Sequence, residues 1–523
     1  MFNEILNNRF LVLYLLPFFL GLLSVFSFQP FNYSIINFFL LPILFFIIVY
    51  VNKRSKSIYR KKPYLKNLFI IGFLFGFGFY LSGIYWISYS LTFDESFKIL
   101  IPFSIILIPL FLALFNGITI LIVGQFLNYN FSSIILFSGF LSLSDYMKSK
   151  VLTGFPWNLW GYTWSWFPEV LQILNIIGLF AFNLLVITIF MIPAVFFFKI
   201  NLVKKIFILS LSFIAVFLIY IYGTFSINKN NALLNYIDDS KKIYTKVISP
   251  NFELEYNLSI KEVKNKLQKL IRYSEPNQQK TKIFIWPEGV FTGFNYEDIY
   301  EFKDLIESNF KNDQLIIFGI NTFDKKSEKY FNSLVIVNNK LEILHQYNKE
   351  KLVPFGEFLP FENILNKFGL KKITQGHGSF LKGQSKHNII IKNINILPLI
   401  CYEIIFPELV QKASSKTNLI VNISEDGWFG ESIGPHQHFA KAIFRSIEHN
   451  SFLIRSANKG ISAIINNKGI VVKKLSASEA GSIEMNIPLI ITEHKNKNDL
   501  IFFILLFTYL IVFLVFKKKS NAK

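Results

Sequence analysis

The stretch NINILPLICYEIIFPELV, residues 393–410, decides how this chain is read. An apolar run rich in isoleucine and leucine ends at Cys401, the only cysteine among 523 residues, and a run of that length and composition reads as a buried strand. Tyr402 and Glu403 then break it, which sets the thiol at a strand-to-helix turn beside a carboxylate. A strand end of that kind aims a side chain into a cleft at the edge of a sheet. A lone cysteine also serves as a small buried hydrophobe, so the case for a nucleophile rests on what stands elsewhere in the chain.

Hydrophobic residues make up 52% of the chain, more than an ordinary soluble protein carries. They gather in stretches near 10–28, 33–51, 68–87, 100–126, 131–151, 171–198, 206–222 and 500–516, each about long enough to cross a bilayer, which takes roughly 20 residues. The organisation this predicts is a seven-span membrane domain over 1–222, an extracytoplasmic domain over 223–499, and a last membrane helix with a basic tail over 500–523. No small-residue cleavage site follows the first stretch, which reads as a retained anchor. A net charge of +20 suggests nucleic acid, but the densest basic run, from Lys53 through Arg60, Lys61 and Lys62 to Lys66, lies between two apolar spans. That placement marks it as a topology signal, and no nucleic-acid partner is expected. With a cytoplasmic amino terminus, this loop, the lysines around 199–205 and the tail Lys517–Lys519 all fall inside, and the polar domain faces outward. Asp145 and Lys148, inside the fifth stretch, are three residues apart and able to pair on one helix face. A single cysteine excludes an intrachain disulfide.

Between the fifth and sixth stretches, Trp157, Trp160, Trp164 and Trp166 fall within ten residues. Two readings stand: an aromatic belt at the headgroup level, or a re-entrant loop that helps shape a lipid-binding cleft.

The polar domain alternates short runs rich in Ile, Val and Phe, at 242–249, 282–286, 314–320, 333–338, 388–400, 419–423, 452–456 and 462–465, with helical stretches such as 259–273. This is the pattern of a layered α/β domain. Three strand ends or loops in it carry chemistry. Trp286, Pro287 and Glu288 put a carboxylate straight after an apolar strand, with proline fixing the backbone before it. Tyr347, Asn348 and Lys349 lead into Leu352–Pro360 (LVPFGEFLP), offering a lysine and Glu357 around a turn. Cys401, Tyr402 and Glu403 are the third.

Together and in this order these residues resemble the Glu-Lys-Cys set of the carbon–nitrogen hydrolase (nitrilase) superfamily. With the flanking spans, GFPW at Gly154–Trp157, DGWFG at Asp426–Gly430 and GPHQHF at Gly434–Phe439, the whole chain resembles the apolipoprotein N-acyltransferase family. The resemblance implies a nitrilase-like α-β-β-α sandwich beside a multi-span helical membrane domain. It implies acyl transfer from a phospholipid, through a Cys401 thioester, to the α-amino group of the N-terminal diacylglyceryl-cysteine of an apolipoprotein. The membrane implied is the bacterial inner membrane, with the catalytic domain on the periplasmic side, and neither metal nor other cofactor is called for. Two segments depart from the family pattern: Glu425 and Gly427 stand in a Ser-Asn-Asp-Ala-Trp motif, and no tryptophan follows Asn251-Phe252-Glu253.

A free thiol is a poor nucleophile at neutral pH without a base or a neighbouring cation. Glu288 is the expected base and Lys349 the expected oxyanion donor. Glu357 and Glu403 either hold Lys349 protonated or shuttle the proton of the attacking amine, and Tyr402 lines the same turn. Trp157, Trp428 and His438 are substrate or loop candidates. The i, i+2 spacing of His436 and His438 near Asp426 suits a metal site poorly, because no HExxH or CxxC pattern accompanies it. The alternative enzyme is a membrane-tethered amidase or nitrilase that hydrolyses a small amide.

Overall fold

A computed structural model describes residues 6–58, 63–256, 258–277, 282–365, 367, 372, 378–384, 388–391, 393–491 and 499–521. Arg60, Lys61 and Lys62 of the basic loop, and Lys392 within the run 388–400, lie outside them. The chain divides into two compact units. One comprises Met1–Ser88, Ile99–Phe225 and Asn498–Lys523; the other comprises Tyr89–Lys98 and Ser226–Lys497.

The first unit is helical: α1 (Leu11–Ser27), α2 (Asn37–Ile58), α3 (Pro63–Ile84), α4 (Ile101–Val123), α5 (Phe131–Lys150), α6 (Leu174–Met191) and α7 (Leu202–Asn235), with the carboxy-terminal helix Leu500–Asn521. Among the described residues, 6 helices are long and apolar enough to cross a membrane. The sequence suggested two more. Leu11–Ser27 is apolar but shorter than the rest, and α5 is full length but serine-rich, with Asp145, Lys148 and Lys150 near its end. Asp145 and Lys148 are paired: Lys148 Nζ lies 3.2 Å from Asp145 Oδ1 and 3.0 Å from the Tyr80 hydroxyl, while Asn183 donates to Asp145 Oδ2 at 3.0 Å. Pairing and hydrogen bonding are what make buried charge tolerable in an apolar bundle.

The tryptophan-rich loop is not a belt. Trp157, Trp160 and Trp164 are buried inside this unit, and only Trp166 is exposed. Trp157 packs on Trp86 with ring centroids 4.6 Å apart and stacks on Phe155 at 6.0 Å. The substrate candidate Trp157 is therefore a core residue of the helical unit, because so large an apolar surface is stabilised most where water is fully excluded.

The second unit holds two six-stranded sheets. In chain order the strands are β1 (Lys242–Ser249), β2 (Ile283–Ile285), β3 (Leu315–Asp324), β4 (Lys329–Val337), β5 (Ile343–Asn348), β6 (Ile389–Ile391), β7 (Ile394–Ile400), β8 (Leu419–Glu425), β9 (Phe452–Asn458), β10 (Ser462–Ile465), β11 (Val471–Leu475) and β12 (Gly481–Pro488). One sheet runs β12-β1-β2-β3-β4-β5 and the other β11-β10-β9-β8-β7-β6. β1, β2 and β3 are parallel, as are β7, β8 and β9, with antiparallel strands outside them.

Alternation along each strand builds the layers. In β2, Ile283 and Ile285 join Ile317, Ile336, Ile396, Val421 and Ile454 between the sheets, while Phe284 turns outward with Trp286, Ile316 and Phe318. That outer face is covered by α8 (Ile260–Ser274), whose Val263, Leu267 and Leu270 are buried against it. The helix begins with a capping box: Ser259 bonds the Glu262 amide, and the Glu262 carboxylate bonds back to the Ser259 amide. Against the other sheet lies α9 (Gly434–His449), in contact with β9 and buried almost throughout. The result is an α-β-β-α sandwich in which the ends of β2, β5, β7 and β8 carry the site.

Candidate active site

β2 ends one residue before Trp286, whose amide continues the pairing by donating to Ile317 at 2.9 Å and whose indole donates to Ser274 at 2.9 Å. Glu288 follows on Pro287. The neighbouring strand is glycine where it passes: a Cβ on Gly319 would stand 2.8 Å from Glu288 Cα. Lys349 follows β5 and is held at both backbone ends, its N–H donating to Asn332 at 2.9 Å and its carbonyl accepting from Gly383 at 2.8 Å.

These backbones bring a buried quartet together. Lys349 Nζ lies 2.8 Å from Glu357 Oε1 and 3.3 Å from Glu288 Oε1. The Asn332 amide donates to the same two oxygens at 2.7 Å each. The remaining oxygens take backbone donors, Glu425 N–H to Glu288 Oε2 at 3.1 Å and Val353 N–H to Glu357 Oε2 at 2.8 Å. The lysine is 1% exposed. Burial by itself would strip its proton, but the Glu288 and Glu357 carboxylates outweigh that and hold the ammonium above the ordinary lysine range.

Cys401 sits at the end of β7 with φ 48°, the left-handed region, at the start of a tight turn through Ile405. A non-glycine residue there costs on the order of 1–2 kcal/mol, which the surroundings must supply. Burial and the Glu288 carboxylate push its thiol up, against the pull of the Lys349 ammonium and the Ser424 hydroxyl. A thiol held neutral in this way would need a base to act as a nucleophile.

The two carboxylates expected around Lys349 have separate duties. Glu357 bonds the ammonium. Glu403 accepts instead from the backbone of Ile400 at 2.8 Å, Glu350 at 2.7 Å and Lys351 at 3.1 Å, and from the Tyr347 hydroxyl at 2.9 Å. It ties the cysteine turn to the lysine segment. Burial pushes its carboxyl up to about 7, against those backbone donors and Lys349. Tyr402 packs edge-on against Phe406 at 5.0 Å.

His438 is fully buried on α9, with Nδ1 2.9 Å from Asp426 Oδ1 and Nε2 3.2 Å from the Cys401 carbonyl oxygen. Its spacing partner His436 is half-buried. Among the described residues, no group of three or more His, Cys, Asp or Glu side chains is placed to hold a metal ion. Trp428 meets Phe93 edge-on at 5.3 Å and Tyr256 at 6.4 Å. Gly430, at φ 59°, lies under the Tyr89 ring, where a Cβ would approach within 2.5 Å. Tyr89–Lys98, which lies in the chain between two apolar helices, therefore belongs to the catalytic unit and braces the loop after β8. Sequence reasoning missed Asn332, Arg455 and this aromatic brace, since each reaches the site from a distant strand or segment and no local motif marks it.

Two family models match the chain, the apolipoprotein N-acyltransferase N-terminal domain over residues 20–192 and carbon-nitrogen hydrolase over residues 253–493. Among curated proteins, the chain is similar to the apolipoprotein N-acyltransferases of Rhodopseudomonas palustris (28% identical over 482 residues) and Bradyrhizobium diazoefficiens (30% identical over 482 residues), each match covering 90% of this chain and 88% of the relative. Among solved structures it is similar to Saccharomyces cerevisiae Nit3, a member of the nitrilase superfamily, at 16% identity and TM-score 0.35, over 47% of this chain and 90% of that one. Apolar helices precede a hydrolase sandwich, a buried lysine–carboxylate cluster accompanies the cysteine turn, and the relatives match along most of their length. The chain belongs to the apolipoprotein N-acyltransferase family.

Proposed function

We propose that this chain transfers an acyl group in two steps through a thioester on Cys401, from a membrane phospholipid to the free amino terminus of a diacylglyceryl-modified lipoprotein. The observation that carries the reading is the buried quartet of Glu288, Lys349, Glu357 and Asn332, whose charges act on a thiol held at the end of β7.

Glu288 takes the thiol proton as sulfur attacks the ester carbonyl. The Lys349 ammonium stabilises the oxyanion that develops, a contribution of about 3 kcal/mol in comparable sites. The ester C–O bond then breaks, Glu288 returns the proton to the departing lysophospholipid alkoxide, and the acyl group remains on sulfur. In the second step the α-amine attacks the thioester, its surplus proton passes to Glu288, the C–S bond breaks and the thiolate is reprotonated. Glu357 and Asn332 hold Lys349 and Glu288 throughout, and Glu403 fixes the cysteine turn against the lysine segment. Donor and acceptor both reside in the membrane, which the apolar helices serve by letting each arrive laterally. The positive-inside rule supports an inner-membrane chain with this domain on the periplasmic side.

Offering the detergent-solubilised protein radiolabelled phospholipid tests the reading. A persistent, hydroxylamine-sensitive label on the parent, absent from Cys401→Ala and discharged by a diacylglyceryl-cysteine peptide, is expected. Rapid release of free fatty acid without acceptor would favour a hydrolase of the amidase type instead.

A further inference from the structure

Cys401 is gripped through its own carbonyl. The oxygen lies 3.2 Å from His438 Nε2. On the far side of the imidazole, Nδ1 lies 3.0 Å from Arg455 Nη2 and 2.9 Å from Asp426 Oδ1. The same Nη2 donates to both Asp426 oxygens, at 2.9 and 2.7 Å, and the Ser424 hydroxyl donates to Oδ1 at 2.6 Å. Arg455 is fixed in turn by the Ile461 carbonyl at 3.2 Å and by the Asn422 side chain. Cys401 is 8% exposed, and the residues behind it, His438, Asp426, Ser424, Asn422 and Arg455, are 1% exposed or less.

A carbonyl oxygen only accepts, so Nε2 must carry a proton to bond it. In a neutral ring Nδ1 is then bare; it accepts from Arg455 Nη2, and the same guanidinium, bonded to both Asp426 oxygens, neutralises the carboxylate that stands 2.9 Å from that nitrogen. The opposite neutral tautomer would set a nitrogen lone pair against the Cys401 carbonyl. Burial and the Arg455 charge favour the neutral ring against the pull of Asp426, bringing His438 down to about 4.

We propose that His438, held with its proton on Nε2 by Arg455, is a positioning residue: it clamps the Cys401 carbonyl and so maintains the left-handed backbone at the nucleophile. The inference rests on Cys401 being the nucleophile. The clamp links the ends of β7 and β8 to β9 and α9, so the turn cannot relax toward negative φ while all four are in place. His438 contacts neither donor nor acceptor in this scheme. Its loss slows both half-reactions, which use the same thiol position, and leaves substrate affinity alone.

Glutamine reaches where Nε2 does and can donate to the carbonyl, whereas asparagine reaches only as far as Nδ1. The test compares single-turnover acylation of the full-length protein by labelled phospholipid in the parent, Cys401→Ala, His438→Gln and His438→Asn. His438→Gln should stay within about tenfold of the parent and His438→Asn should fall about 100-fold, the scale of a displacement near 1 Å, both with a KM for phospholipid within about twofold of the parent. Equal acylation rates for the two variants overturn the clamp, and so does a glutamine variant that fails to fold, because the ring rather than its donor would then be what the site requires. A parent that takes no label overturns the nucleophile assignment and the clamp with it, whereas label on the parent with no difference between the variants overturns the clamp alone.

Discussion

Glu288 and Glu357 turn one oxygen each toward the same two donors, the Lys349 ammonium and the Asn332 amide. The two donors between them hold both carboxylates in one geometry. Glu288→Gln and Lys349→Met should each lower acylation by at least about 100-fold without disturbing membrane insertion; turnover within a few-fold of the parent for either would remove that residue from the mechanism. Asn332→Ala removes two charge-assisted bonds, leaves both oxygens with the lysine alone and should cost at least roughly 10- to 100-fold, the worth of one such bond. His438 makes a separate prediction through pH. Its fold-state value, about 4, lies below the ordinary 6.5, with Asp426, Arg455 and Lys441 as the charges acting on it. Between those values the unfolded chain binds a proton that the folded ring refuses. The stability from the neutral ring is therefore complete above pH 6.5 and lost as pH falls toward 4, about 3 kcal/mol in all. Thermal unfolding midpoints of His438→Gln should decline less steeply than the parent's across that window, and parallel declines would contradict the assignment.

At the scale of elements, the site depends on loops that other segments pin. The turn after β8 is held by Glu425, whose amide reaches Glu288, and by the aromatic brace of Tyr89 and Phe93 on Gly430 and Trp428. Gly430→Ala should destabilise by about 1 kcal/mol through its left-handed backbone, and by more through displacement of the Tyr89 ring. Adding Tyr89→Ala should recover the second part and not the first, so a double-mutant cycle in unfolding and in acylation rate separates them. Full additivity would mean that the brace does not bear on the loop. The strands that sequence did not anticipate are β5, β11 and β12, all sheet edges, and the run 388–400 read as one strand holds two, the edge strand β6 and its antiparallel neighbour β7. Edge strands carry polar residues on their open side, as Val471–Leu475 (VVKKL) and Gly481–Pro488 (GSIEMNIP) do, so they lack the apolar run that marked β7 and β8. The central strands were legible because both of their faces are buried.

For the whole molecule, charge placement and helix composition make the prediction. The basic residues flanking the apolar stretches support an arrangement in which the catalytic unit faces outward and the tail inward. A reporter fused near Asn338 should be active only outside the cytoplasm and one fused after Lys519 only inside. A cytoplasmic signal at Asn338 would reverse the orientation. The setting of the charges in α5 was the less legible feature: it buries Asp145 and Lys148 against Tyr80 and Asn183, partners on other helices that a hydropathy reading does not see.

The sequence by itself determined the class of this protein: apolar runs long enough for a bilayer, buried parallel strands, and Glu288, Lys349 and Cys401 in order at strand ends. Those are local properties, since burial on both faces forces continuous apolar runs and a reactive side chain must follow a strand to reach a cleft. Only the tertiary structure decided what surrounds them. It put three tryptophans in the interior of the helical unit, gave Glu357 to Lys349 and Glu403 to the backbone, and brought Asn332, Asp426, Arg455 and His438 to within hydrogen-bond distance of the site. Several of these depend on partners far apart in the chain, such as Asn332 with Glu288 at 44 positions and Glu425 with Glu288 at 137, where a single buried amide is worth a few kcal/mol only because its partner arrives from another strand.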